Sequence, residues 1–330
     1  MLQDTIEKKN DKKPTVTFVA MACNTFCRFE MLKRCLESLK CQKTIDNVRI
    51  EIVVVDNDRL GSSKKIAEDA MTDSPYKIHY FIEEERGLSS ARNRLLKECI
   101  NIGASHIAIL DDDDIADKNW LSNLIETYNS NEDAYVVSGP EYTFFDGNFP
   151  EYLTNNNIFV KSTTKQAGEI RKTSSTHNSF FPVEIMTKLN IWFDSSFVFM
   201  GGEDGDFFSR VSQSGYSIVF SPNAIVREIN DKHRVNLKWI INRNYYNGYS
   251  SSYLKFRNKK NFCGLILYIC KIICVLLLDF ILLLFAILGG VTFLFNVLGL
   301  TYKNWGKLCG AVIRKPINYY DKLNGGITVD

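Results

Sequence analysis

Four short apolar runs, at residues 15–22, 50–55, 77–82 and 107–110, alternate with stretches of helical apolar spacing at residues 31–39, 63–71 and 89–100. The second run, Ile50-Glu51-Ile52-Val53-Val54-Val55, is dense in the β-branched side chains that favour strands. Strands separated by helices join through right-handed crossovers, so this order predicts an α/β fold with a mainly parallel sheet. From about Glu132 onward the apolar runs shorten and polar loops lengthen, which predicts a mixed sheet with longer excursions. Residues 234–253 read as a late helix carrying Trp239, Ile240, Tyr245 and Tyr246. A chain of 330 residues has room for one large domain with an appendage, or for two domains.

Residues 262–300 differ from everything before them. They are almost wholly apolar, interrupted by Lys271, Asp279, Gly289-Gly290 and Asn296. A helix crossing a bilayer needs ~20 residues, so the stretch predicts two short spans, or one span and a partial one. Basic residues flank both ends: Lys255, Arg257, Lys259 and Lys260 before it, Lys303, Lys307, Arg314 and Lys315 after it. That bias favours a hairpin with both ends cytoplasmic; an in-plane or re-entrant helix is the alternative. The leader, residues 1–14, is polar and lacks an apolar signal-peptide core. The nine cysteines show no zinc-ligand or thioredoxin-like spacing and read as reduced packing residues, Cys263, Cys270 and Cys274 among them. A net charge of +2 gives no reason to expect nucleic acid as a partner.

The strongest chemical signal is Asp111-Asp112-Asp113-Asp114, directly after the apolar run that ends at Leu110. Four like charges at a strand end repel, and a divalent cation with a substrate's phosphates is the economical reason for them. A solvated acidic turn and a helix N-cap are the alternatives, with a helix beginning in residues 115–121. Other strand ends are polar too. Thr25-Phe26-Cys27-Arg28 follows the first run, Asp56-Asn57-Asp58 ends the second, and Gly87 opens a helix whose free N–H groups favour an anion. Neither GxGxxG nor GxxxxGK[ST] occurs, so dinucleotide and P-loop readings lose support.

The order of these pieces resembles the family 2 glycosyltransferases of GT-A fold, particularly the bacterial exopolysaccharide subgroup typified by succinoglycan glucosyltransferases. The resemblance covers about residues 15–255. It rests on 25–32, Val53-Val54-Val55-Asp56-Asn57-Asp58, Gly87 with Ala91-Arg92-Asn93, Leu110 and the aspartates with Trp120-Leu121, and Gly139-Pro140. It continues through Gly201-Gly202-Glu203-Asp204-Gly205-Asp206, Ser221-Pro222 with Glu228, and Arg243 with Gly248.

The resemblance implies a GT-A domain at 15–255, with a nucleotide-binding half at 15–130 and an acceptor half at 131–255. A membrane-associated region at 256–330 would follow. It further implies that Thr25, Phe26, Arg28, Asp56, Asp58, Gly87, Arg92 and Asp112 bind a nucleotide-sugar, with Asp56 at the base and Arg92 at the diphosphate. Asp111 and Asp113 match the metal motif for Mn²⁺ or Mg²⁺, and Asp112 is the alternative ligand, one residue out of register. Asp204, in the Glu203-Asp204 pair, matches the catalytic base of inverting enzymes. His177 and His233 are further ligand candidates, each also readable as an ordinary surface or core residue, and Arg227 stands where several relatives carry a histidine. Arg234 and Arg243 could meet phosphate or lipid. Trp239, Tyr245 and Tyr246 suit sugar stacking or plain packing.

The expected activity is inverting, metal-dependent transfer of a sugar, most simply from a UDP-sugar, to a lipid-linked oligosaccharide. Its expected place is the cytoplasmic face of a bacterial inner membrane, in surface polysaccharide biosynthesis. Three alternatives stand beside it. They are direct transfer to polyprenyl phosphate, a nucleotidyltransferase, and a non-catalytic membrane-tethered scaffold. The nucleotidyltransferase lacks its glycine-rich, lysine-containing loop here, and the scaffold reading is disfavoured by the presence of Glu203-Asp204.

Overall fold

The computed structural model describes residues 13–159, 166–197, 201–257, 262–286 and 288–317. The expected polar leader lies outside them except for Lys13 and Pro14, as do Lys259 and Lys260 of the first basic cluster. The chain forms two compact units: Met1–Tyr142, Ser162–Ser195 and Glu203–Ile229 in the first; Thr143–Lys161, Ser196–Gly202 and Asn230–Asp330 in the second.

In the first unit the strands β1 (Phe18–Thr25), β2 (Arg49–Asp56), β3 (Lys77–Ile82) and β4 (His106–Ile109) alternate with the helices α1 (Phe29–Lys40), α2 (Lys64–Met71) and α3 (Leu88–Asn101). They pair in parallel in the order β3-β2-β1-β4, as the alternation predicts. Three later strands extend the sheet as β9-β6-β10: β6 (Ala134–Ser138), β9 (Ser179–Pro182) and β10 (Ser217–Phe220). Strand β9 runs antiparallel to both β4 and β6, while β10 is parallel to β6, so the sheet is mixed in its second half. A two-residue strand, β8 (Ile170–Arg171), closes that edge antiparallel to β10.

Both faces of the sheet are covered, and the pleat of β1 shows how. Val19, Met21 and Cys23 face one core with Leu32, Cys35, Leu36 and Leu39 of α1 and the buried Trp120, Leu124 and Tyr128. Phe18, Ala20 and Ala22 face the other, with Leu95 and Leu96 of α3 and the paired Phe207 and Phe208. Successive side chains on a strand point to opposite faces, so a strand buried on both sides must be apolar throughout. The α1 residues recur at helical spacing and form one stripe.

Two boundaries differ from expectation. β1 begins three residues later than residue 15 and runs on through Asn24-Thr25, because β2 pairs with it as far as Asp56. After the aspartates comes not a helix but a short strand, β5 (Asp114–Ala116), antiparallel to β11 (Val226–Asn230). Helix α4 (Trp120–Ser130) starts only after Asn119.

In the second unit, α8 (Leu237–Phe256) follows Asn236, whose side chain accepts from the Trp239 N–H. Two helices, α9 (Phe262–Ala286) and α10 (Val291–Ile313), flank Gly289-Gly290. Helices α8 and α10 touch backbone to backbone. A Cβ on Gly306 would lie 1.9 Å from Tyr245 O, one on Gly248 1.9 Å from Lys303 O, and one on Gly310 2.3 Å from Tyr249 O. Small residues at such spacing let helices approach closely. Among the described residues, α9 alone is long and apolar enough to cross a membrane, and little of it is buried. Of the two expected arrangements, two short spans or one span and a partial one, the described residues offer a single full-length candidate span. Cys263, Cys270 and Cys274 are exposed free thiols on that helix rather than packing residues, because none of the described residues covers the side they occupy.

Candidate active site

The carboxyl ends of β1, β2 and β4 lie side by side, and there the polar residues foreseen in sequence gather. Asp56 is fully buried at the end of β2. Its Oδ2 accepts from Tyr80 Oη at 2.7 Å and the Ser63 N–H at 2.8 Å, and its Oδ1 from the Asp58 N–H at 3.1 Å. Burial pushes the Asp58 carboxyl up, but Ser62 and the N–H groups of Leu60 and Ser62 bring it below its usual range. Asn57 ties the next loop down: its amide donates to Glu83 O and Glu85 O, and its Oδ1 receives the Gly87 N–H at 2.8 Å. Gly87, at φ 139°, then opens α3. The Arg86 guanidinium sits 4.4 Å over the Phe26 ring.

The aspartate run is neither a solvated turn nor a helix cap. Asp112, Asp113 and Asp114 are buried, and Asn119 precedes the next helix. Each carboxylate has its own surroundings. Asp112 accepts from Thr25 Oγ1 at 2.7 Å and Arg28 Nη1 at 2.9 Å, and the same Arg28 nitrogen reaches Asp113 Oδ2 at 3.2 Å. Asp111 faces Arg92 Nη2 at 3.2 Å and Thr176 Oγ1 at 3.4 Å. Asp114 Oδ2 turns back to the Asp111 N–H at 3.2 Å.

His177 joins this run from the loop before β9. Its Nε2 lies 3.6 Å from Asp111 Oδ2; its Nδ1 lies 3.2 Å from Asp114 Oδ2 and 3.4 Å from Glu141 Oε1. The neighbouring residue fixes it in place. The Asn178 amide donates to Pro140 O at 2.9 Å and Ala224 O at 2.6 Å, and its oxygen receives the indole N–H of the buried Trp120 at 2.8 Å. Asp111, Asp113 and His177 can all direct a ligand atom to one point, and so can Asp114, Glu141 and His177. Two carboxylate oxygens and an imidazole nitrogen are compatible with a divalent cation.

The charges respond to this crowding. Burial disfavours ionised Asp111, yet His177, Arg92 and Arg28 outweigh it and hold the carboxyl down at about 2. For Asp112 burial prevails over Arg28, and the group is pushed up to about 6. Burial also lifts Asp114 well above the carboxylate range. Burial pulls His177 down, but Glu141, Asp111 and Asp114 raise it well above the usual histidine value.

Arg92 links the run to the Glu203-Asp204 pair. One of its terminal nitrogens faces Asp111 and the other donates to Glu203, which is buried at the start of α7 (Glu203–Gln213). Asp204 is half-buried, and its Oδ1 accepts its neighbour Gly205's N–H at 2.7 Å. Arg92, expected to face a diphosphate, is thus engaged by two carboxylates. The remaining candidates make other contacts. Arg227 pairs with Asp117 at 3.4 Å, and His233 is held in an exposed turn through its backbone N–H. Trp239 stacks on Phe159 with centroids 5.9 Å apart, which is packing. Sequence reasoning missed Glu141 and Thr176, and nothing local marks them: their neighbours come from strands and loops far along the chain.

Residues 18–189 match the family described as Glycosyl transferase family 2, and residues 106–306 match Glycosyl transferase family group 2. The chain is 30% identical over 217 residues to the succinoglycan biosynthesis protein ExoM of Rhizobium meliloti (strain 1021), covering 66% of this chain and 69% of that protein. It is 22% identical over 240 residues to a glucosyl-dolichyl phosphate glucuronosyltransferase of Haloferax volcanii, covering 68% of this chain and 72% of that one. In fold it is similar to the mannosyltransferase PcManGT from Pyrobaculum calidifontis in complex with GDP-Man and Mn²⁺. That likeness has a TM-score of 0.57 at 15% identity and covers 92% of this chain and 76% of that one. It is also similar to S. aureus TarS 1-349 in complex with UDP, with a TM-score of 0.52 at 16% identity over 70% of this chain. The match spans 65% of the TarS chain, less than two thirds of it.

Proposed function

Because the chain belongs to glycosyl transferase family 2 and is a glycosyltransferase, we propose that it moves a sugar from a UDP-sugar to a lipid-linked oligosaccharide with inversion at the anomeric carbon. The setting is surface polysaccharide biosynthesis at the cytoplasmic face of a bacterial inner membrane, with α9 as the anchor. The GT-A domain would occupy 15–255, and 256–330 would hold it at the membrane. The lipid-linked acceptor draws support from the exposed apolar face of α9 and from the Haloferax relative's name, which couples a sugar to dolichyl phosphate.

One observation carries the mechanism: Arg92 bridges the aspartate run and the start of α7, so the two carboxylate groups share one site. The donor's nucleotide would lie along Thr25, Phe26, Arg28, Asp56, Asp58 and Gly87, with Asp112 beneath Thr25 and Arg28. Asp111, Asp113 and His177 would hold the cation, and their oxygen and nitrogen donors fit it. When bound, the cation offsets charge on the departing diphosphate. Arg28 and Arg92 stabilise the same developing charge, in a site where burial strengthens each interaction. Asp204 is the base. An acceptor hydroxyl is a poor nucleophile at neutral pH, and a carboxylate that takes its proton assists attack. Glu203, buried against Arg92, orients the start of α7 and so aims Asp204. The test is Asp204→Asn: transfer to membrane-extract acceptor collapses by ~10²-fold or more while UDP binding persists. Unchanged turnover removes Asp204 from the role.

A further inference from the structure

His177 divides its two ring nitrogens between different carboxylates. Nε2 faces Asp111, while Nδ1 faces Asp114 and Glu141. An imidazole that serves as a ligand gives the lone pair of one nitrogen and keeps its hydrogen on the other, so the partners of the second nitrogen decide which one coordinates. At 3.6 Å the approach of Nε2 to Asp111 Oδ2 is too long for a hydrogen bond. Nδ1 is closer to its carboxylates, 3.2 Å from Asp114 Oδ2 and 3.4 Å from Glu141 Oε1. With the hydrogen on Nε2, the Nδ1 lone pair would point at two carboxylates and be repelled. With the hydrogen on Nδ1, both carboxylates become acceptors, and the Nε2 lone pair is left on the side of Asp111.

The two acceptors are themselves held in place. Asp114, the first residue of β5, is fully buried, and its Oδ2 also takes the Asp111 N–H at 3.2 Å. One oxygen thus touches both the ring of His177 and the backbone of Asp111. Glu141 opens strand β7 (Glu141–Phe145), directly after Pro140. Pro140 O accepts from the Asn178 amide at 2.9 Å and from the Val226 N–H at 3.2 Å. Asn178 follows His177 in the chain, so one side-chain amide ties the backbone beside the histidine to the backbone beside the glutamate.

We propose that Asp114 and Glu141 are positioning residues, which hold the hydrogen on Nδ1 of His177 and so direct Nε2 to the cation beside Asp111 and Asp113. The inference deepens the ligand set proposed above and rests on it. The second cluster, Asp114, Glu141 and His177, then has an orienting part instead of a cation of its own. Carboxylates behind a ligating histidine raise metal affinity by roughly 10–100-fold.

The experiment titrates Mn²⁺ into the full chain in detergent with saturating UDP and counts the free ion by electron paramagnetic resonance. The parent binds one Mn²⁺ per chain. Glu141→Ala weakens that binding about tenfold, and Glu141→Gln, which keeps an oxygen for the Nδ1 hydrogen, recovers most of the loss. Asp114→Ala weakens it at least as much, and Asp114→Asn less, for the same reason. On a His177→Ala background, Glu141→Ala adds less than about twofold, because Glu141 acts through the ring. Parental affinity in Glu141→Ala overturns the inference, and so does a full effect of that substitution in the absence of His177. Two Mn²⁺ per chain in the parent, with one lost in Glu141→Ala, makes the second cluster a cation site and overturns it as well. Unchanged affinity in His177→Ala rejects the ligand set itself, and the inference falls with it; the other outcomes leave His177 a ligand.

Discussion

Replacing Arg92 with leucine tests whether the site is held together by charge. The guanidinium is nearly buried, with Asp111 on one side and Glu203 on the other. Asp111 keeps His177 when Arg92 is lost, but Glu203 does not have that second cation. Glu203 is 3% exposed, and its Oε2 is buried with no hydrogen-bond partner among the described residues. Removing one partner of a buried ion pair leaves an uncompensated charge and costs about 3–5 kcal/mol. In urea unfolding of the full chain in detergent, that lowers the midpoint by roughly 1–2 M. Adding Glu203→Gln to Arg92→Leu neutralises the stranded carboxylate, so the double variant recovers most of the loss. The pair therefore shows strong non-additivity of ~2 kcal/mol or more, as contacting residues in one network do. A single-variant cost below ~1 kcal/mol, or a double variant less stable than Arg92→Leu, refutes the reasoning.

Other outcomes follow from the same structure. Asp113→Ala weakens metal-dependent UDP binding, and an unaltered dependence on Mn²⁺ in a binding titration rejects its ligand role. Burial lowers the His106 ring to about 3 against an ordinary ~6.5. Between those values the unfolded chain binds the extra proton, so stability rises with pH across that window by up to ~1.4 kcal/mol per unit. His106→Phe, which keeps the stacking on Phe180 at 5.1 Å, removes about one proton from that slope in pH-dependent unfolding, and an unchanged slope counts against the buried neutral ring. Gly306→Ala sets a methyl 1.9 Å from Tyr245 O, so α8 and α10 must part by about an ångström; a cost of ~1–3 kcal/mol is expected in thermal unfolding, and parental stability would show that the helices are not so close.

The first half of the fold was legible because its signals are local. Residues 50–55 and 77–82 carry their strand character in their own side chains, and α1 repeats its apolar stripe every turn. The aspartate run was legible for the same reason: four adjacent charges state their cost without any partner. What could not be read is what depends on distant pairing. Strand β5 looked like a helix start because Ile115-Ala116 has no strand signal of its own; its partner, β11, is more than a hundred residues away. His177 was open between ligand and bystander, since Asp111, Asp114 and Glu141 reach it only through the antiparallel return of β9. The exposed cysteines of α9 were misjudged because apolar composition does not say whether protein or lipid supplies the surroundings. The Gly248, Gly306 and Gly310 contacts were invisible for a related reason: a glycine announces a close approach only when its neighbour is known.

Strand β9 sits between β4 and β6 but comes after β6 in the chain. As the chain leaves the ribosome, β4 therefore waits with a bare edge while some seventy residues are made. An unpaired strand edge invites pairing with other chains, and β4 is wholly buried in the finished fold. The stretch through residue 130 is thus not a self-sufficient folding piece. A version cut after residue 130 keeps every aspartate of the run and lacks the strand that closes the sheet beside them. The order of synthesis makes the His177 loop one of the last parts of the sheet to be locked, and the Asn178 clamp is what locks it.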